Sequence, residues 1–226
     1  MLSTTSLSET IDKINEAQFF HRTLPAGEKE QIAGWIAGLR GKTGSYHGMF
    51  APTGVDFSKG IRVFTGEPIT TRAGISHVLG EEACRALIYL DASDETVKDA
   101  LRTAGQNMLH RLKQYETEGQ VLGLYCCGAC SVSYWRHVIA GGLDRNEERL
   151  QAAVSILKSC RTGDARWKRF PFYYTLLALS EIDSEPAINE MRYASPILER
   201  FLKSNRIDSE LIRRRRTLSE RVLAKC

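Results

Sequence analysis

The chain has no stretch approaching the roughly 20 consecutive apolar residues that a helix needs to span a bilayer, and its opening MLSTTSLSET carries neither a basic segment nor an apolar run. No membrane span and no secretory or transit leader are expected, and a soluble cytoplasmic protein is. An excess of one charge is also lacking: the formal net charge of +4 is too mild to call by itself for nucleic acid. Missing as well are the nucleophile elbow, the phosphate-cradling glycine loop, the dinucleotide fingerprint and the paired-histidine zinc-protease motif. No reaction class is announced and no cofactor is called for, although an active site gathered from distant helices would leave no such trace.

What is present is ordinary globular material. The 226 residues are 42% hydrophobic and 26% charged, enough for a single domain over 1–226 with a sizeable core. Six cysteines, Cys84, Cys126, Cys127, Cys130, Cys160 and Cys226, are expected as reduced thiols. Apolar residues recur at helical spacing through most of the chain. The expected fold is therefore all-α: stacked antiparallel helix pairs, repeat-like in the manner of a partial toroid or solenoid, with one long ordered loop.

The organising stretch is Cys160 to Ile182. Pro171 suits the first turn of a helix, because its fixed φ fits there and its missing N–H would be unpaired anyway. Phe172, Tyr173, Tyr174, Leu176, Leu177 and Leu179 follow and are apolar nearly all round, which predicts a helix to about Glu181 packed on more than one side. Other helices are predicted at about Ser8 to Arg22 with Ser8 as cap, Glu28 to Leu39, from a Thr70 or Thr71 cap to about Leu90, and Asp94 to Thr117 capped by Ser93. Further ones run from about Gly123 to Ala140, from an Asp144/Glu147 capping box to Cys160, from about Glu185 onward with a kink or break at Pro196, and from about Asp208 to Ala224. Between residues 41 and 66, six glycines and Pro52 break the period. Tyr46, His47, Met49, Phe50, Phe57 and Phe64 are too apolar for a floppy linker, so this loop is expected to cover the core, with a short extended piece at Ile61 to Phe64; a ligand lid is the alternative.

A fainter copy of the hub precedes it: Leu112 to Thr117 lies under Leu157 to Thr162, and the same offset sets Tyr125-Cys126-Cys127 under Phe170-Pro171-Phe172. Two helix-pair units, about 97–141 and 145–182, are one reading of this self-similarity, and a chance likeness between two ordinary αα-hairpins is the other. The turn residues Gly163 and Asp164, then Trp167, Pro171, Tyr174, Thr175, Leu176 and Leu179, resemble the helical-hairpin repeats of the α/α-toroid group, the terpene cyclases and protein prenyltransferases. The likeness spans Ala152 to Ile182 well and Met108 to Val138 poorly. It lacks the group's Asp-x-Asp-Asp and zinc-ligand motifs, so the resemblance implies shape and not catalysis.

Four clusters invite function. The resemblance suggests an apolar ligand pocket lined by Trp135, Trp167, Tyr173 and Tyr174, with Tyr46 and His47 contributed by the loop, although aromatics at helical spacing are more often core. Cys126, Cys127 and Cys130, with His137 further along the same expected helix, offer a thiol or metal site; small residues that let helices approach closely are the competing reading. His77, Glu81 and Arg85 fall at i+4 steps, a solvated ladder in the simpler reading. Most of the guanidiniums of Arg213 to Arg216 are expected to face water opposite Leu211, Leu218, Val222 and Leu223, so nucleic acid is not the expected partner. A binding or scaffold protein with a concave or pocket surface, for a protein partner or an apolar small molecule, is the favoured function; an enzyme or carrier acting on an apolar, isoprenoid-like ligand and the thiol or zinc site are the alternatives, with self-association an open option.

Overall fold

Ten α-helices and one small hairpin make up the described residues, 4–204 and 209–226, of the computed structural model. The fold is all-α, as the periodicity requires. In chain order the helices are α1 Leu7–Phe19, α2 Ala26–Ala37, α3 Gly54–Lys59, α4 Arg72–Leu90, α5 Glu95–Thr117, α6 Gly128–Ile139, α7 Asn146–Ser159, α8 Phe172–Glu181, α9 Glu185–Lys203 and α10 Glu210–Ala224. The strands β1 (Ile61–Arg62) and β2 (Pro68–Ile69) pair antiparallel. Among the described residues no helix is long and apolar enough to cross a membrane.

The centre of the molecule is the row α4, α6, α8. Helix α4 packs on α6, α1, α2 and α5; α6 packs on α4, α7 and α8; α8 is flanked by α6, α9 and α10. Tyr174, Thr175, Leu176, Leu177, Ala178 and Leu179 are all buried, so α8 is enclosed on more than one side as its composition predicts. Each such leucine contributes about 1.5–3 kcal/mol on leaving water. Pro171 caps α8 from just outside it.

The 41–66 segment packs on the core as expected, and it is more structured than its glycines suggest. Thr53 and Asp56 form a capping box that starts α3, a helix too short to show in the apolar period. Asp56 also accepts from Ser6 Oγ and from the backbone of Leu7 and Ser8, so one carboxylate closes the N-termini of both α1 and α3. The expected extended piece exists at Ile61–Arg62. The loop covers α4 through Ser76 Oγ, which donates to Gly44 O, and reaches α5 through Tyr46.

Several local expectations are corrected. Ser6, not Ser8, caps α1, and Asp94, not Ser93, caps α5, because Ser93 is taken by Glu30. The Asp144/Glu147 box does not form: Asp144 instead holds Arg149, and α7 opens from Arg145 in a left-handed conformation. Pro196 does not divide α9, which runs through it. The Asp208 start lies outside the described residues; α10 opens at Glu210 under Ser209 as cap.

The arginine run is not a solvated face. Arg214 is buried and paired with Asp12, Glu16 and Glu210, and Arg213 pairs with Glu16. Arg215 donates to Thr65 O and lies over Tyr173, and Arg216 donates to Leu202 O. The four guanidiniums fasten α10 to α1, the loop before β2 and α9. The apolar period missed this because an arginine stem packs like a hydrocarbon while its head finds acids on another helix.

Candidate functional site

The expected helix from Gly123 begins five residues late, and the delay creates the site. Residues 123–127 form a loop whose two ends need glycine: a Cβ on Gly123 would sit 2.6 Å from Ala153 N, and one on Gly128 would sit 2.0 Å from Arg169 O. Two side chains of α6 reach back to hold this loop. Trp135 Nε1 donates to Gly123 O at 2.6 Å, and Ser131 Oγ both accepts from Tyr125 N and donates to Tyr125 O. Cys126 therefore sits in a left-handed turn, φ 57°, a conformation that costs a non-glycine residue energy unless its surroundings impose it. Cys127 becomes the residue that opens α6.

Three thiols converge here. Cys127 Sγ lies 3.3 Å from Cys130 Sγ, and Cys126 is within reach of both. Cys126 and Cys127 are exposed and Cys130 is buried, so the cluster is open on one side. The fourth member comes from α4. His77, Cys126 and Cys130 bring ligand atoms within 4.8 Å of one another. His77 is wedged under Tyr46, ring centroids 3.8 Å apart, and beside Tyr125 at 5.4 Å, and its Nδ1 is buried without a protein partner.

The electrostatics follow from burial and from the helix terminus. A hydrogen bond from the Cys130 thiol holds Cys127 at about 5 against burial, with backbone N–H groups of Cys130 and Ala129 adding to it. The same contact, with burial, pushes Cys130 far up, and burial followed by Cys127 raises Cys126. Burial lowers His77 to about 4, helped by the positive charges of His47 and Arg111, so its imidazole is neutral at pH 7. Around the mouth, Arg111 Nε donates to Tyr46 Oη at 3.3 Å, and Tyr46 and Tyr115 share a hydrogen bond.

Comparison with family models, curated proteins and solved structures finds no match for this chain. The site has to be read from its own chemistry.

Of the residues singled out in the sequence, the structure brings Cys126, Cys127, Cys130, Tyr46 and His47 together. Cys126 and Cys130 are not helical neighbours, since Cys126 precedes α6. His137 is elsewhere: it is fully buried and binds Glu81 through Nδ1 at 2.6 Å. Trp135, Trp167, Tyr173 and Tyr174 do not line one pocket. Trp135 holds the cysteine loop and stacks on Phe170, and Trp167 donates to buried Glu190. Tyr174 donates to Glu82, and Tyr173 packs between Phe172 and Phe201. The close-packing reading of the small residues is right for Gly128, whose neighbour is backbone, and does not account for the exposed Cys126 and Cys127.

The ladder His77, Glu81, Arg85 is buried, not solvated. Its third member joins an ion network that sequence reasoning missed. Glu82 takes Arg136 at 2.7 Å, Tyr174 Oη at 2.5 Å and Asn15, while Glu181 takes both Arg85 and Arg136. The signal was available. Between Gly74 and Leu90 the apolar residues surround the helix rather than striping it, so any charge there had to be paired inside.

Proposed function

We propose that this protein binds a thiophilic divalent ion, of which zinc is the type, through Cys126, Cys130 and His77 with Cys127 completing the set. The observation that carries the reading is the convergence of ligand atoms from two distant segments within 4.8 Å, one of them on a buried histidine that leaves a ring nitrogen unpartnered. Thiolate and imidazole are the ligands zinc takes in tetrahedral sites, at about 2.3 Å for sulfur and 2.0–2.1 Å for nitrogen, which puts ligand atoms about 3.5–3.8 Å apart. The thiols and His77 need to move by about an ångström to meet that geometry. A divalent charge also removes the obstacle to ionising neighbouring thiols. The role is binding in the first instance, and it requires thiols kept reduced, as the cytoplasm keeps them.

Purified reduced protein, exchanged into metal-free buffer and titrated with zinc against a chromophoric chelator, is expected to take up one ion per chain. Cys130→Ser and His77→Gln are expected to lose it while keeping the helical circular dichroism of the parent. Uptake below a tenth of an ion per chain, or uptake unchanged in both variants, overturns the reading.

A second reading rests on Cys127 opening a helix with Cys130 one turn on, sulfurs 3.3 Å apart: a dithiol that exchanges with a disulfide-bearing partner. Cys127 would attack one sulfur of the partner and Cys130 would displace the mixed disulfide, leaving a Cys127–Cys130 disulfide and two thiols on the partner. Mass spectrometry after incubation with oxidised glutathione separates the two. A loss of two hydrogens confined to Cys127 and Cys130, in protein that takes up no zinc, favours exchange.

A further inference from the structure

Away from the thiols, a cleft of about 450 Å³ opens between α1, α8 and α10. Its walls are apolar: Phe19, Phe64, Leu177 and Ala224. Its ionisable lining is lopsided. Arg85 and Arg136 close the floor, Arg221 and Lys225 stand on α10 and just past its end, His21 lines it just after α1, and Glu181 is the one carboxylate among the lining residues. Glu181 is already committed to both floor arginines.

The two rim cations are not neutralised. Arg221 lies over the Phe19 ring at 4.2 Å, and Lys225 Nζ donates to Ser180 O at 2.8 Å; among the described residues neither has a carboxylate partner. The adjoining Cys226 main-chain oxygen is taken by Arg192. The floor is itself crowded with positive charge. Burial, and then the neighbouring Arg136, hold Arg85 below the ordinary arginine value even with Glu181 and Glu82 beside it. Within the same wall, Gln18 keeps a buried amide oxygen without a partner. Rotating that amide presents its N–H groups instead.

We infer that this cleft binds a small organic monoanion with an apolar body, a medium-chain or arylalkyl carboxylate. The head group lies between Arg221, Lys225 and the Gln18 amide, and the hydrocarbon runs along Phe19, Phe64 and Leu177. A monoanion is the match because the floor arginines are already held by Glu181 and Glu82, which leaves the two rim cations and one amide to a ligand's head group. The volume takes a body of roughly ten heavy atoms with room to spare, inside the range of small-molecule sites. This site is separate from the thiol cluster: Arg85 lies eight residues beyond His77 on α4, about 12 Å along the axis.

The test uses the full chain and octanoate as probe, below its micellar range, with octanol and octyl phosphate alongside, in isothermal titration calorimetry. Octanoate is expected to bind saturably at one per chain and octanol at least tenfold more weakly. The Arg221→Ala/Lys225→Ala double variant, both exposed or half-exposed positions, is expected to lose at least tenfold, and Ala224→Trp to block the mouth. Cys130→Ser is expected to bind octanoate as the parent does, which keeps this result apart from the fate of the metal site. Absent or non-saturable octanoate binding, equal binding of octanol, or undiminished affinity in the double variant overturns the inference; tighter binding of octyl phosphate overturns the choice of a monoanion.

Discussion

Replacing Arg136 by Met is expected to cost about 4 kcal/mol at pH 7, and the structure says why. Its guanidinium is 2% exposed and donates to Glu82, to both oxygens of Glu181 and to Asn15. Met fills most of the stem volume, so packing loss is small. What the change leaves is Glu82, fully enclosed, with Arg85, Tyr174 and Asn15 as its remaining support. Stranding one partner of a buried ion pair costs about 3–5 kcal/mol, a large share of the roughly 5–15 kcal/mol that holds a domain folded. With a urea m-value of about 2–3 kcal/mol/M for a chain of this size, the midpoint drops by about 1.5 M. The pH dependence adds a second check. In the parent, burial raises Glu82, but Arg136, Arg85 and the hydrogen bonds outweigh it and the net shift is downward. That carboxylate therefore contributes stability at pH values above its unfolded pKa, and the contribution is lost as pH falls through the lowered folded value. In the variant burial wins and the folded pKa rises, so the penalty is relieved as pH falls from that raised value toward the unfolded one. The gap between parent and variant is expected to narrow between pH 7.5 and 5. The companion double variant Arg136→Met/Glu82→Gln is expected to recover at least half of the loss. A midpoint shift under about 0.3 M, or a gap that does not change with pH, would refute the claim that the stranded charge sets the cost.

Three further outcomes are expected from the same reasoning. Gly105→Ala stabilises by about 0.5–1 kcal/mol, since its Cβ would meet only Gly142 O at an ordinary 3.5 Å, whereas Gly128→Ala, aimed at Arg169 backbone, abolishes the native near-ultraviolet dichroism. Ser131→Ala costs about 1–3 kcal/mol by leaving Tyr125 N unpaired, and it weakens zinc about tenfold in the chelator competition because the cysteine loop loses its brace. Arg214→Met costs about 3 kcal/mol or more in urea denaturation, while Arg216→Met, tied by a single 3.4 Å bond, costs under about 1 kcal/mol.

The helices were legible because burying an apolar face leaves a period in the sequence, and α4, α5 and α8 appear within a few residues of where that period puts them. Their starts were less so. A cap is chosen by whichever nearby oxygen is not already engaged: Ser93 could have capped α5, but Glu30 from α2 had claimed it, and nothing local to residues 93–96 records that. Helix α3 escaped for a different reason: its six residues are too few to show an apolar period, although its Thr53–Asp56 capping box is local.

The candidate site was half legible, and the missing half is the more instructive. Three cysteines in five residues stand out in the sequence, but spacing along one helix points to His137, whereas the histidine beside them is His77, across the interface. Helical spacing brings together residues on one cylinder; a ligand set gathers residues from two. His77 on α4 and Cys130 on α6 meet because those two helices pack on each other, a contact between segments far apart in the chain that no local spacing records. The buried ions obey the same logic. Arg85 and Arg136 could not be left unpaired inside the core, so each helix needed its acid on a neighbour, and Glu82 and Glu181 supply it. A charge inside an all-round apolar helix is therefore a statement about a partner elsewhere in the chain, as Arg85 in α4 and Arg136 in α6 show by pairing with Glu181, and Glu82 in α4 by pairing with Arg136.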